Sequence, residues 1–239
     1  LPVSCVILPF NKDIGDIQME NLETYKYVHE KRVRNGRRAA SERKPLNAPA
    51  PKTFLGMPCE TVTFTVPTKE RQNAVRQEFA TKARAAFLKH LAQTQYKRLR
   101  TAGITAKDIK LMEKGKTPNG WNTHHKLSVY GGGTNDFSNL LLIRRAPYHD
   151  MIHYHLINPQ VQDMKRGETR RVVIPNPSES IYVPPQQFKH LERDAKRGGK
   201  SYGTKGQSYQ DKKQDAPFMQ DVKAADAYIK SFLSKNGGR

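Results

Sequence analysis

Cysteine is almost missing from this chain: Cys5 and Cys59 are the two among 239 residues. That excludes a disulfide framework as the source of stability, and the pair could be bonded or remain as free thiols. No run of about 18 apolar residues occurs, so no membrane-spanning helix is expected. The opening LPVSCVILPF is apolar for only about ten residues, which suits a strand better than a signal-peptide core. Hydrophobic residues make up 36%, little for a domain of this length, so one core with polar arms fits better than two full cores. Acidic residues are scarce as well. Twenty-two Asp and Glu face 42 Lys and Arg, a net charge of +20, with a pI near 10.0. This excess favours a polyanionic partner, because phosphates neutralised by Lys and Arg release their counterions. A charge kept for solubility, or for an acidic protein partner, would look the same in composition alone. The chain also lacks a starting Met, as expected of a trimmed or released segment.

What is present falls into segments. Residues 31–52 carry eight Lys or Arg against one acid, then Pro45, Pro49 and Pro51. They read as a basic arm or linker. TVTFTV at 61–66 alternates as a strand does. Pro67 ends it, and Thr68 is placed to cap a helix. From Lys69 to about Thr101, Val75, Phe79, Ala83, Phe87 and Leu91 form one helical stripe that Gly103 closes. A second short helix starts at Thr105, with Asp108 forming a capping-box-like pair. Arg170–Val173 and Ser180–Val183 read as a hairpin around Pro175 and Pro177. The stretch 189–215, rich in Lys, Gly, Gln and Ser, reads as a flexible basic segment. A last helix spans 216–233, with Met219, Val222, Ala225, Tyr228, Ile229 and Phe232 facing the core.

The densest chemistry lies in WNTHHKLSVYGGGTNDFSNLLLIRRAPYHDMIHYHL, Trp121 to Leu156, which holds five of the eight histidines. His124–Tyr130 reads as a strand, Gly131–Gly133 as a turn, and Asn139–Ile143 as a second, strongly apolar strand. Pro147 suits the first turn of a helix, and Asn158-Pro159 would end it. On that helix His149 and His153 stand four residues apart, about 40° in azimuth and one turn along. Both can face one point, and His124 can supply a third nitrogen. Three protein nitrogens with an open position describe a catalytic metal site rather than a closed structural one. His155 should point away, about 200° from His153. His29, His90 and His190 read as surface or packed residues, and the single Trp121 as core. Arg144 and Arg145, between strand and helix, are candidate phosphate contacts.

In order, the His-His pair, glycine turn, Asn-Leu step and H-x-x-x-H helix resemble the HNH, or ββα-metal, endonucleases. The likeness is strongest to colicin- and pyocin-type DNase domains and GHH-type bacterial toxins. It covers about 35 of the 239 residues. The resemblance implies that His124, His149 and His153 hold one divalent metal ion (Zn, Ni, Mg or Mn). It makes His125 the general base and Asn139 the residue that ties the loop to the hairpin and so orients His125. One departure stands out. In colicin-type domains an acidic residue lies two positions before the His pair, where this chain has Asn122.

The expected fold class is therefore α+β, with a ββα-metal site embedded in a mainly helical domain carrying basic extensions. Expected boundaries are 1–60 (strand and basic arm), 61–160 (nuclease core, with the site at 121–158) and 161–239 (C-terminal extension). The resemblance implies a metal-dependent DNase of low sequence specificity. Its setting would be the toxic domain of a secreted antibacterial effector acting in the target-cell cytoplasm and neutralised by an acidic immunity protein. The alternatives are an intracellular HNH endonuclease and a non-catalytic, zinc-stabilised nucleic-acid-binding protein.

Overall fold

The computed structural model describes residues 48–192 and 217–236. The expected strand at 1–10, most of the basic arm, Cys5, His29 and the stretch 193–216 lie outside them. The described residues form a mixed α+β structure. No helix among them is long and apolar enough to cross a membrane.

The first sheet is antiparallel and has the order β1-β2-β5, from β1 (Thr53–Phe54), β2 (Met57–Thr65) and β5 (Thr169–Pro175). Leu55 and Gly56 join β1 to β2 with φ of 54° and 73°, the positive pair that a two-residue hairpin turn needs. Leu55 tolerates this conformation inside the core because both its backbone groups are held. Its N–H donates to Asp221 Oδ2 at 2.6 Å, and its carbonyl accepts from the Tyr182 hydroxyl at 2.7 Å.

The hairpin expected between 170–173 and 180–183 is not formed. β5 pairs with β2 instead, Val62 opposite Val172 and Phe64 opposite Arg170. Ile181 makes only an isolated parallel bridge to Leu142. Val172, Val173 and Ile174 are all buried. β2 offers them a long alternating partner, whereas Pro175 and Pro177 stand in the way of a tight return. The sheet therefore joins strands from both sides of the boundary expected at 160.

The run from 69 to 101 is helical but interrupted. It comprises α1 (Lys69–Glu78), a wide π-type turn (Phe79–Ala83), α2 (Arg84–Thr94) and α3 (Tyr96–Thr101). The break falls at Gln95, with φ −127° and ψ 32°. The Thr68 side chain accepts from the Arg71 N–H at 3.3 Å. At the start of α4 (Ala106–Glu113), Thr105 Oγ1 accepts from the Asp108 N–H at 3.1 Å and donates to its carboxylate at 2.6 Å. Both expected caps are in place.

The second sheet is the antiparallel pair β3 (Trp121–His125) and β4 (Leu140–Arg144), with His124 opposite Leu141 and His125 opposite Leu140. It lies between two cores. Leu141 and Ile143 pack with Met151, Ile152 and Leu156 of the following helix. Leu140, Leu142 and Trp121 pack with Phe87, Leu91, Leu99 and Ile109 of α2–α4. A strand covered on both faces reads as an unbroken apolar run, which accounts for LLLI.

The helix after β4, here α5, begins at Pro147, after a non-helical Ala146 (φ −104°, ψ 134°), and runs to Val161 with a wide turn at Ile152–Ile157 and a last turn at Asn158–Val161. It continues through Pro159 rather than ending there. The Asn158 N–H bonds back to His153 O, five residues earlier. The widened turn accommodates a ring that has no donor of its own. The final helix, α6 (Pro217–Asn236), buries Val222, Ala225, Ile229 and Phe232 as expected.

Candidate metal centre and adjoining histidine

Successive residues of a strand point to opposite faces, and β3 uses this to divide its two histidines. His124 turns toward α5. One ring nitrogen each from His124, His149 and His153 lies within 4.8 Å of the others. His153 Nε2 and His124 Nδ1 are 3.4 Å apart, about the spacing of two nitrogens each roughly 2.1 Å from a tetrahedral ion. The rings of His149 and His153 approach to 4.6 Å between centroids. The expected trio is thus brought together. His155 is not among them and packs against Tyr154.

Three observations fit a cation here. First, His124 is buried and turns its Nδ1 to His153 Nε2, while its Nε2 has no hydrogen-bond partner, so Nδ1 is the His124 atom placed to meet an ion. Second, the outer nitrogens of the other two rings face acceptors. His149 Nδ1 lies 3.3 Å from Asp150 Oδ1, and His153 Nδ1 lies 3.4 Å from Asn158 Oδ1. Donating there leaves each Nε2 as a lone pair, the way outer-shell groups set metal-binding histidines. Third, burial holds His124 well below the usual histidine range, with His153 and His149 adding to the effect. Burial, then His149, depresses His153 to about 3. Both are neutral, metal-competent imidazoles at physiological pH. Three histidines lie close enough to bind a metal ion.

Asn122 shares the His124 side of β3. Its amide donates to His149 Nε2 at 3.2 Å, so the residue that departs from the colicin pattern touches the trio directly and holds the lone pair that an ion bound at that nitrogen would take over.

His125 faces the other way. Its ring lies 4.5 Å from that of Phe79, in the wide turn between α1 and α2, and Arg84 stands over the far ring at 5.7 Å. Burial lowers the pKa of His125, and its bond to Asn135 partly offsets this. The turn at Phe79 and the contact with Asn135 were not apparent from the sequence. Asn135 lies in a loop whose path depends on tertiary packing.

That loop is closed by glycines and by Asn139. A Cβ at Gly131 would strike the Phe64 ring, one at Gly133 the Leu127 carbonyl, and Gly132 has φ +90°. Asn139 accepts from the Leu127 N–H at 2.8 Å, and its amide donates to Leu127 O at 3.0 Å and Thr134 O at 2.8 Å. Its carbonyl accepts from the Lys126 N–H at 2.8 Å. Asn139 therefore ties both ends of the loop next to the histidine pair. Arg144 is engaged, with its guanidinium 4.9 Å from the Trp121 ring centroid and Nε 3.2 Å from Glu192. Arg145 is exposed.

Among known proteins, the chain is similar to YhhZ, an uncharacterised protein of Escherichia coli strain K12. The two are 38% identical over 118 residues, which is 49% of this chain and 29% of that protein. The chain thus matches under a third of that relative's length. No protein-family model matches the chain, and no solved structure does.

Proposed function

We propose that this chain is a metal-dependent endonuclease of the ββα-metal (HNH) type, cutting DNA with low sequence specificity. The observation that carries the reading is the division of labour along β3. His124 joins His149 and His153 on one face, while His125, the next residue, stays out of that cluster on the other. A closed structural zinc site would have no use for a fourth, separately oriented histidine.

Phosphodiester hydrolysis needs a deprotonated water, and charge neutralisation on the phosphorane and the leaving O3′. When bound by His124, His149 and His153, a divalent ion supplies positive charge for the phosphate and the leaving oxygen. His125, neutral because burial lowers its pKa, takes the proton of the attacking water. Asn139 holds the strand ends that carry both groups. Arg145, exposed just before α5, contacts the backbone phosphate. The net charge of +20 supports binding through phosphates, which carry no sequence information. The setting we favour is the toxic domain of a delivered antibacterial effector with an acidic immunity partner. It rests on the likeness to colicin-type domains.

Nicking of supercoiled plasmid, with EDTA, Mg²⁺, Mn²⁺, Ni²⁺ and Zn²⁺ compared, tests the reading. Cleavage is expected with one or more divalent ions and none with EDTA. His153→Ala loses both cleavage and bound metal. His125→Ala loses cleavage and keeps the metal. Intact plasmid with every ion, beside a clear mobility shift, would leave a zinc-stabilised nucleic-acid binder in its place.

A further inference from the structure

His125 is held by a residue that none of the preceding assignments uses. Asn135 Oδ1 lies 3.0 Å from His125 Nε2. The orientation of the Asn135 amide is set by its other end. Its Nδ2 donates to the Val75 carbonyl at 3.0 Å and to Glu78 Oε2 at 2.9 Å. Neither partner can donate, so both sites demand the NH₂ group. The oxygen is therefore the atom turned to His125, and an amide oxygen only accepts. Nε2 must carry the hydrogen, which leaves Nδ1 of a neutral ring as the lone pair. Among the described residues Nδ1 makes no protein hydrogen bond. The contacts come from α1, outside the strand-loop-strand-helix segment, and Phe79 packs on the same ring at 4.5 Å.

We propose that Asn135, anchored by Val75 and Glu78, is a positioning residue that fixes His125 as its Nε2–H tautomer and presents Nδ1 as the proton acceptor. The inference rests on the reading of His125 as the base. It adds that α1 works as a bracket for the base rather than only as a wall of the core. A base in the wrong tautomer offers a hydrogen where a lone pair is needed, so the chemical step suffers while substrate and metal binding do not.

Long-range ¹⁵N–¹H spectra of the metal-loaded protein, run beside plasmid nicking, test it. In the wild type, His125 is expected as the Nε2–H form. Asn135→Ala gives a tautomer mixture and lowers kcat by about tenfold or more, within the roughly 10²–10⁴ that a positioned base contributes. KM, metal content and thermal midpoint stay close to wild type. Asn135→Asp, combined with Glu78→Gln to remove the like charge, keeps the acceptor and restores the Nε2–H form with most of the rate. Glu78→Ala, an exposed change, gives an intermediate loss and guards against a folding defect in the Asn135 variants. An Nδ1–H ring in the wild type, or an unchanged tautomer in Asn135→Ala, would overturn the proposal. If no variant and no metal cuts DNA while the tautomer shifts as expected, the bracket stands and the nuclease reading falls.

Discussion

Gly133 sits where backbone meets backbone: a methyl group there would collide with the Leu127 carbonyl, and Asn139 Nδ2 lies 3.0 Å from the same point. A carbonyl fixed by Asn139 cannot retreat as a flexible side chain would. Gly133→Ala should therefore cost about 1–3 kcal/mol, as overpacking does, and loosen the loop that leads out of His125. Urea unfolding and bound metal, measured on one preparation, check this. An unchanged midpoint would mean that the loop yields without loss. Gly167 is a useful contrast. It has open space around its Cβ position and φ +80°, so Gly167→Ala should show only the left-handed backbone cost, about 1–2 kcal/mol, with metal content intact.

β4 raises the question of what a strand does when both faces are buried. Leu141 belongs to the core shared with α5, and Leu142 to the core shared with α2–α4. Either change to Ala should destabilise by about 2–5 kcal/mol. Only Leu141→Ala, opposite His124 on the face of the trio, should weaken metal binding as well. Equal effects on metal affinity in a titration would show that the two faces are not separate. The same strand shows why the sequence could be read so far and no further. The trio was visible because helical spacing and strand alternation are local rules, and the cap residues Thr68 and Thr105 follow from local chemistry too. The pairing of β5 with β2 was not, because strand partners are chosen by long-range burial, and 170–173 lay nearer in sequence to 180–183. Pro159 was read as a stop because nothing in its neighbours announces a widened turn. Asn135 escaped notice because an Asn in a loop is an ordinary turn residue until Val75 and Glu78 are seen behind it.

The whole molecule joins a buried, proton-averse centre to a strongly basic surface, and each half has its own signature in solution. His124 and His153 titrate below the ordinary histidine range in the fold, His153 at about 3, and near 6.5 when unfolded. Between those values the unfolded chain binds more protons, so stability of the metal-free protein rises with pH. It is fully present above about 6.5 and is lost as pH falls toward 3, by up to about 1.4 kcal/mol per pH unit for each such group. Denaturant melts of the metal-free protein between pH 7.5 and 5, above most carboxylate titrations, should show this slope. It should be smaller in His153→Ala, and an equal slope there would remove the trio as its source. On the proposed reading the surface makes the opposite demand, for anions. With 42 Lys and Arg against 22 acids, binding to DNA should follow counterion release, with log affinity falling linearly in log salt by about 0.9 per phosphate neutralised. The His125→Ala protein makes this measurable, since it should bind without cutting. For six to ten contacts the loss between 50 and 200 mM salt is about 10³–10⁵-fold, and it should be the same for duplexes of unrelated sequence. Salt-insensitive binding, or a strong preference for one sequence, would mean that recognition runs through base edges rather than phosphates. In that case the basic surface would have to be assigned to a protein partner instead.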